Sequence, residues 1–125
     1  MIYLDTHVML WLYEGDVSRF SPKAKNTMNN KELMICPMVF MELQYLHEVG
    51  RSKIKADKIY RELNTQLDIN LCETSFAKVV QHASKLKWTR DPFDRLIVAH
   101  AEINQFPLLT KDETIHRHCS LAFWD

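Results

Sequence analysis

The chain has 125 residues, 46% hydrophobic and 26% charged, with 16 basic and 16 acidic side chains that cancel. That is one domain with room for a single core and no global field to draw in a polyanion, so a nucleic-acid surface would have to be a local patch. Two glycines, Gly15 and Gly50, exclude the glycine-rich loops of nucleotide-binding folds. No stretch approaches the roughly 20 apolar residues of a membrane span. The three cysteines, Cys36, Cys72 and Cys119, are odd in number and form no C-x-x-C pair, which speaks against a disulfide framework or a zinc knuckle. Cys36 and Cys72 lie in apolar runs and are expected to be buried. Asp5, His7 and Glu14 interrupt the N-terminal apolar residues, so no signal-peptide pattern is present and a reducing, cytoplasmic location is expected.

Ile2-Tyr3-Leu4 reads as a short buried strand that stops at Asp5-Thr6, and Val8 to Tyr13 as a helix closed near Gly15. Ser21-Pro22 is a cap followed by proline at the first helical position, opening a second helix towards Asn30. Leu33-Met34-Ile35-Cys36 predicts another buried strand, and Pro37 starts a helix that runs to Gly50. Ile54 to Leu67 is amphipathic, Ile69 to Cys72 a weakly signalled strand, and Thr74 to Leu86 a further helix. A helix from Pro92 to Asn104 follows, then a strand at Pro107-Leu108-Leu109-Thr110. A helical turn over Glu113 to His118 and a last apolar run, Leu121 to Trp124, complete the chain. Strands alternating with helices predict an α/β three-layer sandwich, a mostly parallel central sheet flanked by helices.

In such sheets ligands bind beyond the carboxyl ends of the strands. Asp5 and Asp112 each follow an apolar strand, and Asp94 lies in the first turn of the helix opened by Asp91-Pro92, so all three are expected on that edge. That helix is apolar almost all round from Leu96 to Ala101 and is expected to be buried. Glu42 falls in the middle of an apolar stripe formed by Met38, Val39, Tyr45, Leu46 and Val49. A lone carboxylate facing a core is costly, which calls for a bound cation or an Arg or Lys partner, unless Glu42 sits at the stripe's edge and points to water. Each Asp also has an ordinary alternative. Asp5 and Asp112 can cap the helices that follow them, and Asp91 can cap its helix or pair with Arg95 one turn on. Convergence of the acids on one sheet edge is what separates a site from a set of caps. Oxygen ligands with no His or Cys at ligand spacing point to Mg²⁺ or Mn²⁺. The six histidines form no zinc motif; His116 and His118 read as surface residues, and His7 is close enough to Asp5 to line the site.

Four ordered stretches carry a resemblance. Leu4-Asp5-Thr6-His7, Met41-Glu42-Leu43, Asp91-Pro92-Phe93-Asp94-Arg95-Leu96-Ile97-Val98-Ala99-His100-Ala101 and Leu109-Thr110-Lys111-Asp112 resemble the motifs of the PIN-domain ribonucleases. More narrowly, they resemble the toxins of VapC-type toxin–antitoxin pairs. The resemblance covers essentially the whole chain. It implies a five-stranded parallel sheet, an acidic pocket for one or two divalent ions, and metal-dependent cleavage of RNA. It also implies an antitoxin partner and a homodimer. On it, Asp5, Glu42, Asp94 and Asp112 are the metal-holding and catalytic acids. Asp91, Thr6 and Thr110 would support them, and Arg90, Arg95 and Lys111 would be candidates to touch the RNA backbone. Where the family usually has Ser or Thr before the Glu-bearing helix, this chain reads Pro37-Met38-Val39-Phe40. Two other readings compete: a receiver-like Mg²⁺-binding phosphoacceptor domain, and a PIN-fold binding module without activity.

Overall fold

The computed structural model describes residues 1–125. Its elements are β1 (Ile2–Leu4), α1 (Thr6–Glu14), α2 (Pro22–Asn30), β2 (Leu33–Ile35), α3 (Pro37–Glu48), α4 (Ala56–Leu67), β3 (Asn70–Leu71), α5 (Phe76–Ala83), α6 (Pro92–Asn104), β4 (Leu108–Leu109), α7 (Glu113–His118) and β5 (Ala122–Phe123). The sheet order is β3-β2-β1-β4-β5 and every pairing is parallel. Ile2, Tyr3 and Leu4 are all buried although successive strand residues face opposite ways, so β1 is covered on both faces by the seven surrounding helices. This is the three-layer α/β arrangement expected, with the last apolar run supplying the fifth strand.

The connectivity has one consequence for function. The chain steps from β1 outward to β2 and β3, then returns to place β4 on the other side of β1. Helical crossovers therefore diverge at the carboxyl ends of β1 and β4, leaving a crevice there. Asp5 N–H donates to the Leu109 carbonyl (3.1 Å), tying the two strand ends together at the floor of that crevice.

Several boundaries move for local reasons. Helix α1 begins at Thr6 because the Asp5 side chain accepts the Thr6 N–H (2.8 Å). Helix α5 starts at Phe76, because the Thr74 hydroxyl accepts from Asn104 instead of capping. Helix α6 is enclosed as expected, with Ile97, Val98, Ala99, His100 and Ala101 all buried. The stripe expected on α3 splits: Val39 and Leu46 are buried with Leu43, whereas Tyr45 and Val49 face out and Met38 is half-buried. All three cysteines are free, and Cys72 is only half-buried, its Sγ within 3.1 Å of both the Tyr3 and Thr74 hydroxyls. No helix is long and apolar enough to cross a membrane.

Candidate active site

A cavity of about 500 Å³ opens at the β1/β4 crevice, and Asp5, Glu42, Asp91, Asp94 and Asp112 all line it. Three of these acids arrive there by capping helices. Asp5 caps α1, Asp91 caps α6 by accepting the N–H groups of Phe93 (2.8 Å) and Asp94 (3.3 Å), and Asp112 caps α7 by accepting the N–H of Ile115 (2.9 Å). Pro92 at the first position of α6 has no N–H to offer, so Asp91 serves the next two residues. Asp94 is brought in by the first turn of α6, and Glu42 by the second turn of α3.

Two threonines organise the carboxylates. The Thr110 hydroxyl donates to Asp5 Oδ2 (2.6 Å) and accepts the Asp112 N–H (3.1 Å), while His116 Nε2 donates to the Thr110 carbonyl (2.6 Å). Thr6 serves two acids at once, its N–H on Asp5 Oδ1 and its hydroxyl on Glu42 Oε1. Helix α3 lacks the hydroxyl usual before its Glu, and Thr6 on α1 holds Glu42 from across the crevice instead.

No basic side chain forms an ion pair with any of these acids. The ion pairs of the molecule join Arg19 to Asp16, Arg61 to Asp57 and His82 to Glu102, and none involves a pocket acid. Burial, reinforced by the neighbouring carboxylates, pushes the carboxyls of Glu42 and Asp94 up to about 7. Burial raises Asp5 as well, against the opposing hydrogen bonds of Thr110 and Thr6.

An all-oxygen donor set with unpaired charge suits a hard divalent cation. No three acidic, His or Cys side chains stand close enough to close a coordination sphere among themselves.

The basic residues fall out differently. The Arg95 guanidinium does not meet Asp91; it donates to the Ala83 carbonyl (3.1 Å) and the Ser84 carbonyl (3.0 Å) at the end of α5. Arg90 donates to the Lys87 carbonyl (3.1 Å), and the Lys111 ammonium lies over the Trp124 ring at 5.8 Å. None of the three lines the cavity, although Lys111 borders a neighbouring groove with His7 and Asp112. The cavity instead contains His7, Arg51, and the rings of Tyr45 and Phe93. His7 is exposed and opposes the rise of the Asp5 carboxyl, and His116 and His118 are at the surface as expected. Arg51 and Tyr45 carry no motif that sequence reading could have used.

Comparisons agree with this architecture. A chain from the crystal structure of VapBC2 from Rickettsia felis bound to a promoter DNA fragment superimposes with a TM-score of 0.70. It is 24% identical, with all of both chains covered. A chain of a toxin–antitoxin complex from Klebsiella pneumoniae gives 0.68 at 15% identity, covering 98% of this chain and 96% of that one. One from VapBC-1 of nontypeable Haemophilus influenzae gives 0.61 at 20% identity, covering 100% and 97%. At these identities the likeness is one of fold. No curated protein sequence matches. The family model described as PIN domain matches residues 2–121, nearly the whole length, and takes in all five pocket acids: the chain belongs to the PIN-domain family.

Proposed function

We propose that this protein is a divalent-metal-dependent endoribonuclease, the toxin of a type II toxin–antitoxin pair acting in the cytoplasm. One observation carries the enzymatic reading: five carboxylates gather at the β1/β4 crevice with no ion pair to any of them, and two of them hold protons up to about 7. A structural cluster would be expected to carry its own cations, since unpaired charge at a buried Asp5 and half-buried Glu42 and Asp94 is destabilising. Asp5, Glu42, Asp94 and Asp112 would hold Mg²⁺ or Mn²⁺, with Asp91 beside them. The bound ion would supply neutralisation of the phosphate's developing charge and a lower pKa for an attacking water.

The chain's own residues set up the rest. Thr110 and Thr6 occupy one lone pair on each Asp5 oxygen, which fixes the carboxylate's orientation towards the cavity. Thr6 likewise holds Glu42 Oε1 and leaves Oε2 free, placing Glu42 to accept a proton from water near neutral pH. The toxin role, the antitoxin partner and a homodimer are supported by the motif resemblance and by fold likeness to chains of toxin–antitoxin complexes.

The test is cleavage of RNA by the purified protein with Mg²⁺ and with EDTA. Mg²⁺-dependent internal cleavage leaving 5′-phosphate and 3′-hydroxyl ends is expected. Binding without cleavage would favour the inactive PIN-fold module, and phosphorylation of an Asp would favour the receiver-like reading.

A further inference from the structure

We propose that Arg51, Tyr45 and Phe93 form a nucleotide subsite on the lip of the acidic cavity. An unpaired nucleobase stacks on the two rings, and the Arg51 guanidinium takes a phosphate next to the scissile one. The inference rests on the ribonuclease reading and adds to it the residues that hold the substrate.

A pocket of carboxylates repels the polyanion it has to cut, and a net charge of zero offers no global attraction. A cation outside the acidic set has to meet the backbone. Arg90 and Arg95 are spent on carbonyls and Lys111 lies over Trp124, which leaves Arg51 as the one Lys or Arg lining the cavity. Its side chain is exposed and enters no ion pair or hydrogen bond, despite the carboxylates nearby.

Its backbone, by contrast, is pinned. Gly50 turns the chain at φ +82°, and the N–H groups of Arg51 and Ser52 both donate to the Leu46 carbonyl at 2.8 and 3.1 Å. His47 Nδ1 donates to the Ser52 carbonyl (3.0 Å), and the buried Ser52 hydroxyl bonds Ile54. A free guanidinium on a fixed turn is arranged for an incoming anion, at little conformational cost to the backbone.

The rings are placed to match. Tyr45 lies one turn after Glu42 on α3, and Phe93 immediately precedes Asp94 on α6. Their centroids are 5.7 Å apart, so the pair bridges the two helices that deliver Glu42 and Asp94. Tyr45 is 48% exposed, a large apolar face left open beside the cavity. Base-on-ring stacking uses such a face and requires an unpaired base, so the subsite selects single-stranded RNA over duplex.

The experiment measures kcat and KM, with Mg²⁺, on an unpaired RNA oligonucleotide drawn from the cleaved fraction of a random pool. Arg51→Ala and Tyr45→Ala should each raise KM roughly five- to hundredfold with kcat little changed. Arg51→Lys and Tyr45→Phe should recover most of the loss, since they keep the charge and the ring. Arg51→Ala should also flatten the salt dependence of log KM by about 0.7, the contribution of one phosphate contact on a single strand, whereas Tyr45→Ala should leave it alone. Unchanged KM in both alanine variants overturns the subsite, and so does a fall in kcat at constant KM. A change of oligomeric state in Tyr45→Ala without loss of RNA affinity would show that a second copy covers the ring, and also overturns it. If the wild type cuts no RNA, the ribonuclease reading falls and takes this inference with it. If the wild type cuts and the variants match it, the subsite alone falls.

Discussion

Replacing Glu42 by Gln should make the metal-free protein more stable at alkaline pH and leave it unchanged in acid. Desolvation, with Asp5, Asp91 and Asp112 adding to it, lets Glu42 keep its proton up to about 7 in place of 4.5. At roughly 1.4 kcal/mol per pH unit, that corresponds to about 3 kcal/mol weighing against the folded anion. Solvent reaches part of the side chain, and screening brings the working figure to about 1–2 kcal/mol. The sign follows from proton binding. Between about pH 4.5 and 7 the folded state holds more protons than the unfolded chain, so stability falls as pH rises through that window. Gln keeps an oxygen to accept the Thr6 hydroxyl, so the substitution removes charge without removing the bond. Thermal unfolding in EDTA should therefore show the variant roughly 4–8 °C higher in Tm at about pH 8 and equal to wild type at about pH 4.5. A variant less stable than wild type at pH 8 would mean that Glu42 is half of a favourable ion pair. A gain of the same size at both pH values would mean that the effect is not electrostatic. Either result refutes the reasoning.

Mg²⁺ should raise Tm, more at about pH 8 than at about pH 5 because binding displaces protons from the acids. EDTA should leave far-UV circular dichroism intact, and a collapse would make the ion part of the fold. Asp94→Asn should cost orders of magnitude in cleavage with no loss of stability. Asp91→Ala, which removes the acceptor of two α6 N–H groups, should cost about 1 kcal/mol with a milder loss of cleavage; paired rates and denaturation midpoints separate the two. His100 is buried with neither ring nitrogen bonded, and burial lowers its pKa against only a weak approach to the Leu96 carbonyl. The His100 contribution should therefore be lost as pH falls below about 6.5, opposing the gain from the acids, and His100→Leu should gain on wild type there by about 1 kcal/mol in urea titrations.

What the sequence made legible was what periodicity and local capping encode. The strands carrying Asp5 and Asp112, the Pro-initiated helices and the enclosed α6 all follow from signals a few residues long. Less legible was anything that depends on which way a side chain turns within its element. Tyr45 and Val49 are apolar, and only the fold reveals that α3 turns them outward while Val39, Leu43 and Leu46 meet the core. Arg95, four residues after Asp91, has the spacing of an ion pair, yet its guanidinium turns to the Ala83 and Ser84 carbonyls at the end of α5. The support of Glu42 by Thr6 spans 36 residues and leaves no local trace. Arg51 follows a helix stop and looks like any solvated charge until the turn returns it to the cavity.

Capping and site membership, which read in the sequence as competing explanations for each acid, turn out to be one device. A capping carboxylate is stabilised as an anion by backbone N–H groups and by the positive end of its helix. Asp5, Asp91 and Asp112 each have such support, so three helix starts can be aimed into one crevice and bring their carboxyls together there. Desolvation, reinforced by neighbouring carboxylates, pushes the Glu42 and Asp94 carboxyls, which no backbone N–H reaches, up to about 7. Burial raises Asp5 too, despite its cap, so capping brings acids to the crevice while desolvation decides which of them are pushed towards holding a proton. An incoming cation would offset the charge that burial disfavours, so sharp effects of charge removal are expected at Glu42 and Asp94, where no backbone N–H supports the anion.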